Sequence, residues 1–218
     1  MSFDPVSFIR TQTQILPPSI VPEIQLHLAT EVTPLWQLTE ERLREADLPP
    51  PFWAFAWPGG QGMSRYILDH PELVQGKRVV DFAAGCGIAA IAAMKAGAKS
   101  ALAVDIDVLA LEAIKLNAEN NQVEVATIDG IDFSKPIAKA DIIFAGDICY
   151  QQSMSVKLTR WLRLCVEKGL AAYIADPGRA YVPHDGMVKL ASYDVPTSRD
   201  LEDKDMRTVT VWRLENLA

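Results

Sequence analysis

The chain has 218 residues, 49% of them hydrophobic and 22% charged, which is enough apolar material for one sizeable core in a single globular unit. A formal net charge of -7 supplies no broad cationic face, so nucleic acid is not an expected partner; a cationic partner suits the acidic surface only as a hint. The cysteines (Cys86, Cys149, Cys165) and histidines (His27, His70, His184) lack the paired short spacing of a zinc or redox site, and no stretch is long enough to span a bilayer, so neither a metal nor a membrane is expected.

In chain order, Asp4 before Pro5 reads as the N-cap and first residue of a helix, and Thr33-Pro34 repeats that signature ahead of the amphipathic run Leu35, Leu38, Leu43. Between them, Ile24, Leu26 and Leu28 alternate with Glu23, Gln25 and His27, the period-two pattern of a half-buried strand. Residues 1–50 are therefore expected to be an extension of helices and a short strand, with the main domain over residues 51–218. Pro49-Pro50-Pro51 stops any helix. The aromatic run Phe52, Trp53, Phe55, Trp57 then ends in Pro58-Gly59-Gly60 before a helix over Met63 to Asp69.

From Lys77 onward, apolar strands alternate with helices. Strands are expected at Arg78 to Phe82, Ala101 to Asp105, Val123 to Ile128, Ile142 to Ala145 and Leu170 to Ala175. Helices are expected at Ile88 to Ala96, Leu109 to Asn120 and Ser153 to Glu167. That order predicts a parallel α/β sheet. Near the end, Thr208, Thr210 and Trp212 alternate with Val209 and Val211, a late strand expected to join as an antiparallel edge.

The first of these strands runs into Ala83-Ala84-Gly85-Cys86-Gly87 and then a helix, a turn that presents backbone N–H groups to a nucleotide-type ligand at the carboxyl end of a sheet. Gly85, Gly87 and Ala90 also satisfy a dinucleotide fingerprint, with Asp105 at the spacing of a ribose-binding acid, so an NAD-dependent dehydrogenase is a rival. Asp81 separates the two. A carboxylate just before the glycines repels a pyrophosphate but suits the ammonium and sulfonium of S-adenosylmethionine (SAM). Asp105 would then accept from the ribose hydroxyls and Asp129 from the adenine amino group, although Asp129 reads equally as a turn cap. Asp107 is assigned the structural task of capping the next helix.

After the fourth strand comes Asp147-Ile148-Cys149-Tyr150. In a doubly wound sheet this strand lies beside the first, so Asp147 and Tyr150 would border the same crevice, with Cys149 as small apolar filler.

With these stretches assembled, the chain resembles the electron-transfer-flavoprotein β-subunit lysine methyltransferases, a branch of the seven-β-strand protein methyltransferases. The matching stretches are Pro51-Phe52-Trp53-Ala54, Trp57-Pro58-Gly59-Gly60-Gln61, Ser64-Arg65-Tyr66, the glycine loop, Asp105-Ile106-Asp107, Gly146-Asp147 with Tyr150, and Asp176-Pro177-Gly178-Arg179. The resemblance implies a Rossmann-like, seven-stranded class I methyltransferase sheet, mostly parallel with one antiparallel strand near the C-terminus and helices on both faces. It implies SAM as cofactor, held by Trp57, Gly60, Gln61, Asp81, Ala83, Gly85, Cys86, Gly87, Asp105, Ile106, Asp129 and Asp147. It also implies a protein substrate, the flavoprotein β subunit, with Asp147 and Tyr150 as the Asp-x-x-Tyr motif of methyl transfer. A methyltransferase for another protein, a small amine or a nucleic acid is the alternative acceptor class. Relatives usually carry Leu-Gly-Ser where this chain has Phe82-Ala83-Ala84, a change expected to cost little. The lack of a transit-peptide pattern points to a bacterial cytoplasmic protein, and a monomer is favoured.

Overall fold

The computed structural model describes residues 3–30, 35, 50–183, 185–199 and 202–216. The helix expected after Thr33-Pro34 lies outside the described residues, Leu35 excepted, and so does His184. The first helix, α1 (Pro5–Gln12), starts as expected: the Asp4 carboxylate accepts from the Val6 N–H at 3.1 Å. Strands β1 (Gln14–Leu16) and β2 (Leu26–Leu28) pair antiparallel. The alternation expected at β2 does not hold, because His27 is as buried as its apolar neighbours. The His27 N–H donates to Asn117 Oδ1 at 2.7 Å and the Gln25 N–H to Asn121 Oδ1 at 2.9 Å, so the edge of this strand is stitched to the main domain.

After a 3-10 turn at Phe52–Ala54, helix α2 (Pro58–Asp69) begins well before the expected Met63. Pro58-Gly59-Gly60 is its first turn rather than a loop, since proline is tolerated where no intrahelical N–H partner exists. The glycines serve proximity here. A Cβ on Gly59 would stand 2.5 Å from both the Ala175 carbonyl oxygen and Asp147 Oδ2, and one on Gly146 would stand 2.9 Å from the Gly60 nitrogen.

The main sheet comprises β3 (Arg78–Phe82), β4 (Ser100–Asp105), β5 (Ala126–Asp129), β6 (Ile142–Gly146), β7 (Ala171–Asp176), β8 (Met187–Pro196) and β9 (Met206–Leu214). Helices α3 (Ile88–Lys95), α4 (Val108–Asn120) and α5 (Gln152–Glu167) connect the parallel strands. The strand order is β5-β4-β3-β6-β7-β9-β8, with β9 antiparallel to both neighbours, so the seven-stranded, mostly parallel architecture is as expected. Two details differ. The late strand is inserted between β7 and β8 rather than forming the edge, and the edge strand β8 has no counterpart among the predicted strands: its apolar alternation is confined to Ala191, Tyr193 and Val195 and breaks at the register shift between Lys189 and Ala191.

Successive residues on the strands feed opposite layers, which is why helices cover both faces. Val79, Ile142 and Phe144 pack with Met63, Ile67 and the alanine-rich α3. Val80, Ile143 and Ile174 pack with Leu158, Trp161 and Leu162 of α5. The order of connection reverses between β3 and β6, and in such sheets a crevice opens at the carboxyl ends of those two strands. Among the described residues no helix is long and apolar enough to cross a membrane.

Candidate active site

Three residues of the turn between β3 and α3 adopt left-handed backbone: Ala83 (φ 53), Gly85 (φ 53) and Gly87 (φ 77). At Ala83 the Cβ carries a penalty of roughly 1–2 kcal/mol in this region, so replacing the relatives' glycine is not the cheap change that the sequence suggested. Gly87 caps α3, and a Cβ there would stand 3.0 Å from Ile114 Cγ1. Cys86 was expected to help hold the cofactor, but its thiol is buried and pushed up to about 12 by burial, so only its main chain is placed to face a ligand.

Asp81 is 4% exposed and accepts from the Ala90 N–H at 2.9 Å. Burial pushes its carboxyl up to about 7, with the Asp105 charge adding to the effect. Asp105 bridges the loop to the next strand: Oδ2 accepts from the Gly85 N–H at 2.8 Å and Oδ1 from the Asp107 N–H at 3.1 Å. Each oxygen keeps a second acceptor site for a ligand. Asp107 caps α4 as expected, accepting from the Leu109 N–H at 2.9 Å, and burial pushes it up to about 6. Beyond Asp105, Ile106 is 75% exposed, an apolar side chain at the crevice edge near the exposed Asp129. A Cβ on Gly130 would lie 3.8 Å from Ile106 Cγ2, so Ile106 and the end of β5 share one patch.

At the end of β6, Asp147 takes the left-handed conformation (φ 54) and its N–H donates to the Ala175 carbonyl at 3.1 Å. Its Oδ2 accepts from the Gly60 N–H at 3.1 Å and its Oδ1 from Arg179 Nη2 at 3.0 Å. Burial pushes the carboxyl up to about 6, opposed by the Arg179 charge. Tyr150, 55% exposed, meets the Phe52 ring at 6.2 Å, and Phe52 meets Trp57 at 5.8 Å. Trp57 Nε1 donates to the Phe52 carbonyl at 2.8 Å, and a Cβ on Gly85 would lie 4.0 Å from that same oxygen. Trp57, expected to hold the cofactor, and Tyr150, expected in methyl transfer, are thus brought together through Phe52, which sequence reasoning left unassigned although it stands in the Pro51-Phe52-Trp53-Ala54 stretch.

Two assignments change. Gln61 was expected to line the cofactor pocket, yet its side chain is buried, donating to the Ala56 carbonyl at 2.7 Å and accepting from Ser19 Oγ at 2.9 Å. It pins the start of α2 to the N-terminal extension from behind. Arg179, given no role beyond its place in the matching Asp176-Pro177-Gly178-Arg179 stretch, instead pairs with Asp147 and, at 2.7 Å, with the buried Glu202. Glu202 pairs in turn with Arg207 at 2.9 Å. Asp176 makes the turn, its Oδ1 accepting from the Gly178 N–H at 2.8 Å and the Arg179 N–H at 2.6 Å. Cys149 is buried and pushed up to about 11 by burial, which keeps it a neutral filler.

Residues 63–149 match the family described as ribosomal protein L11 methyltransferase (PrmA). The electron transfer flavoprotein beta subunit lysine methyltransferase of Xenopus laevis is 36% identical over 97% of this chain and 87% of its own length. The human protein of the same description is also 36% identical, over 94% of this chain and 80% of its own length. The chain belongs to this lysine methyltransferase family. Among solved structures, the ribosomal protein L11 methylase of Lactobacillus delbrueckii subsp. bulgaricus shares the fold with a TM-score of 0.50 at 20% identity, over 72% of this chain and 79% of that one. Membership makes the chain a methyltransferase and removes the dehydrogenase alternative. The family implies use of SAM, and the residues fit it: the carboxyl groups of Asp81 and Asp105 flank the left-handed loop, a setting that suits a cation better than a pyrophosphate.

Proposed function

We propose that this methyltransferase transfers methyl groups from SAM to lysine side chains of an electron transfer flavoprotein β subunit. The observation that carries the proposal is the partly buried Asp147 carboxylate, 11% exposed, three residues before the exposed Tyr150, whose ring meets Phe52 against Gly85 of the glycine loop. The acceptor named in the descriptions of the relatives supplies the protein class.

Asp81 and Asp105 would hold the charged and ribose parts of the cofactor, and Ile106 with Asp129 the adenine. When bound, SAM supplies an electrophilic methyl group on a sulfonium, open to in-line displacement by a neutral amine. Lysine enters as an ammonium with a pKa of about 10.4. Above about pH 6 Asp147 is ionised and attracts that ammonium, while the Gly60 N–H and Arg179 hold the carboxylate in one orientation. An ionised carboxylate favours the charged amine, so Asp147 orients the nitrogen and the proton leaves to water. The aromatic group of Tyr150, Phe52 and Trp57 accommodates the growing methylammonium by cation–π attraction.

The test is incubation with labelled SAM and purified electron transfer flavoprotein, followed by mass spectrometry of the β subunit. Methylated lysines on that subunit are expected, and no label there alongside labelling of a different protein in lysate would overturn the acceptor. For the division of roles, Asp147→Ala should keep SAM binding and lose most transfer, while Asp105→Ala should mainly weaken SAM binding. Equal loss of binding in both, by calorimetry, would reject it.

A further inference from the structure

Outside the crevice, the outer face of α5 and two flanking loops enclose a groove of about 840 Å³. Its apolar surface comes from Phe133, Val156, Leu164, Tyr181 and Pro183, with Val156 58% and Tyr181 42% exposed. Arg160, Arg163 and, at the far end of the helix, Glu167 also line it. The charge here runs against the whole chain. The protein has 28 acidic and 21 basic residues, whereas α5 carries Lys157, Arg160 and Arg163 against Glu167 alone. Their three-residue spacing keeps the cations near one another on the helix. Arg160 is exposed and has no ion pair among the described residues, while Arg163 donates to the Asp185 carbonyl at 2.9 Å and Lys157 lies 4.2 Å from the centre of the Phe133 ring.

Two walls of the groove follow the site closely along the chain. Helix α5 starts directly after the turn that carries Tyr150, and Tyr181 follows closely on Arg179, the partner of Asp147. Ser155 Oγ donates to the Tyr181 carbonyl at 2.5 Å, joining the two walls. At ~1.5 Å per residue, the helix between Ser155 and Glu167 gives the groove a length of roughly 18 Å, the span of about five or six residues of extended chain.

We propose that this groove docks an acidic, extended segment of the protein substrate lying beside its acceptor lysine, with an apolar side chain against Val156 and Tyr181. This rests on the protein-lysine acceptor proposed above. Carboxylates of the segment would meet Arg160 and Arg163, which selects against the rest of an acidic enzyme surface and gives recognition a salt-sensitive component.

The test uses two fluorescent peptides, each with a central lysine and a neighbouring leucine, one flanked by glutamates and the other by glycine and serine. Anisotropy is measured with the full chain and with Arg160→Glu/Arg163→Glu, and Arg160→Gln alone guards against a folding defect. SAM affinity is the fold control, since neither arginine lies at the cofactor crevice. The expected result is at least tenfold tighter binding of the acidic peptide, lost in the double variant and weakened by salt, with SAM affinity unchanged. No preference for the acidic peptide, or a preference that survives the double substitution, would overturn the proposal. Acidic-peptide preference without methylation of the flavoprotein subunit would reject the acceptor and leave the groove standing, whereas intact methylation without that preference would reject the groove alone.

Discussion

Replacing Asp81 by Asn separates what the fold wants at this position from what the cofactor wants. The Asp81 carboxyl is raised by burial from 3.8 to about 7. At ~1.36 kcal/mol per pK unit, the ionised form is disfavoured by ~4 kcal/mol relative to an exposed carboxylate. A raised carboxyl binds its proton more tightly in the folded state, so its contribution to stability is fully present below about pH 4 and is lost as pH climbs through about 7. Asparagine keeps an oxygen to accept from the Ala90 N–H and never ionises. Asp81→Asn is therefore expected to melt above the parent at pH 8 and near it at pH 4.5. Half of the ~4 kcal/mol would raise the midpoint by roughly 4–8 °C in a chain of this size. The same substitution should weaken SAM roughly tenfold or more, because a charge-assisted pairing of ~1.5–3 kcal/mol is lost. Thermal melts across pH 4.5 to 8 and calorimetry with SAM read the two effects. An Asn variant that loses the same stability at both pH values would refute the account of a strained carboxylate, and unchanged SAM affinity would refute its pairing with the cofactor.

Arg179→Gln removes the cation that lowers Asp147, so the acid limb of kcat/KM, expected near pH 6 in the parent, should move to higher pH; a pH–rate profile with an unmoved limb would contradict the pairing. Gly59→Ala places a methyl 2.5 Å from Ala175 O and Asp147 Oδ2, and should cost at least tenfold in activity together with a lower melting temperature, both measured on the purified variant. Ala83→Gly relieves a left-handed alanine and should stabilise the protein by about 1 kcal/mol in denaturant titration, with little change in SAM affinity.

The parallel half of the sheet was legible because β3, β4, β6 and β7 are apolar runs bounded by turn residues, and burial on both faces leaves such runs few other places to go. Strand β8 escaped because its alternation, Ala191, Tyr193 and Val195, is short and is cut off from Met187 to Lys189 by a register shift. The start of α2 was misread for a related reason: two glycines after a proline signal a turn, whereas here they are set by how closely the helix approaches Gly146 and Asp147 from distant parts of the chain. In the site, the positions of Asp81, Asp105, Asp147 and Tyr150 followed from strand ends, which sequence locates well. Partners did not. Neither the Arg179 pairing with Glu202 nor the Gln61 bond to Ser19 leaves a local signal, since each is fixed only when the sheet closes.

The insertion of β9 between β7 and β8 has a consequence for synthesis. Strand β8 leaves the ribosome before β9 but has no strand to pair with until β9 arrives. Arg207, which steadies Glu202 and through it the Arg179 beside Asp147, is itself on β9. A nascent chain can therefore display its glycine loop and five parallel strands, β3 to β7, while Arg207, a partner of Glu202, is still missing. A chain stalled before β9 is left with β7 as an open edge, exposed to pairing with other chains.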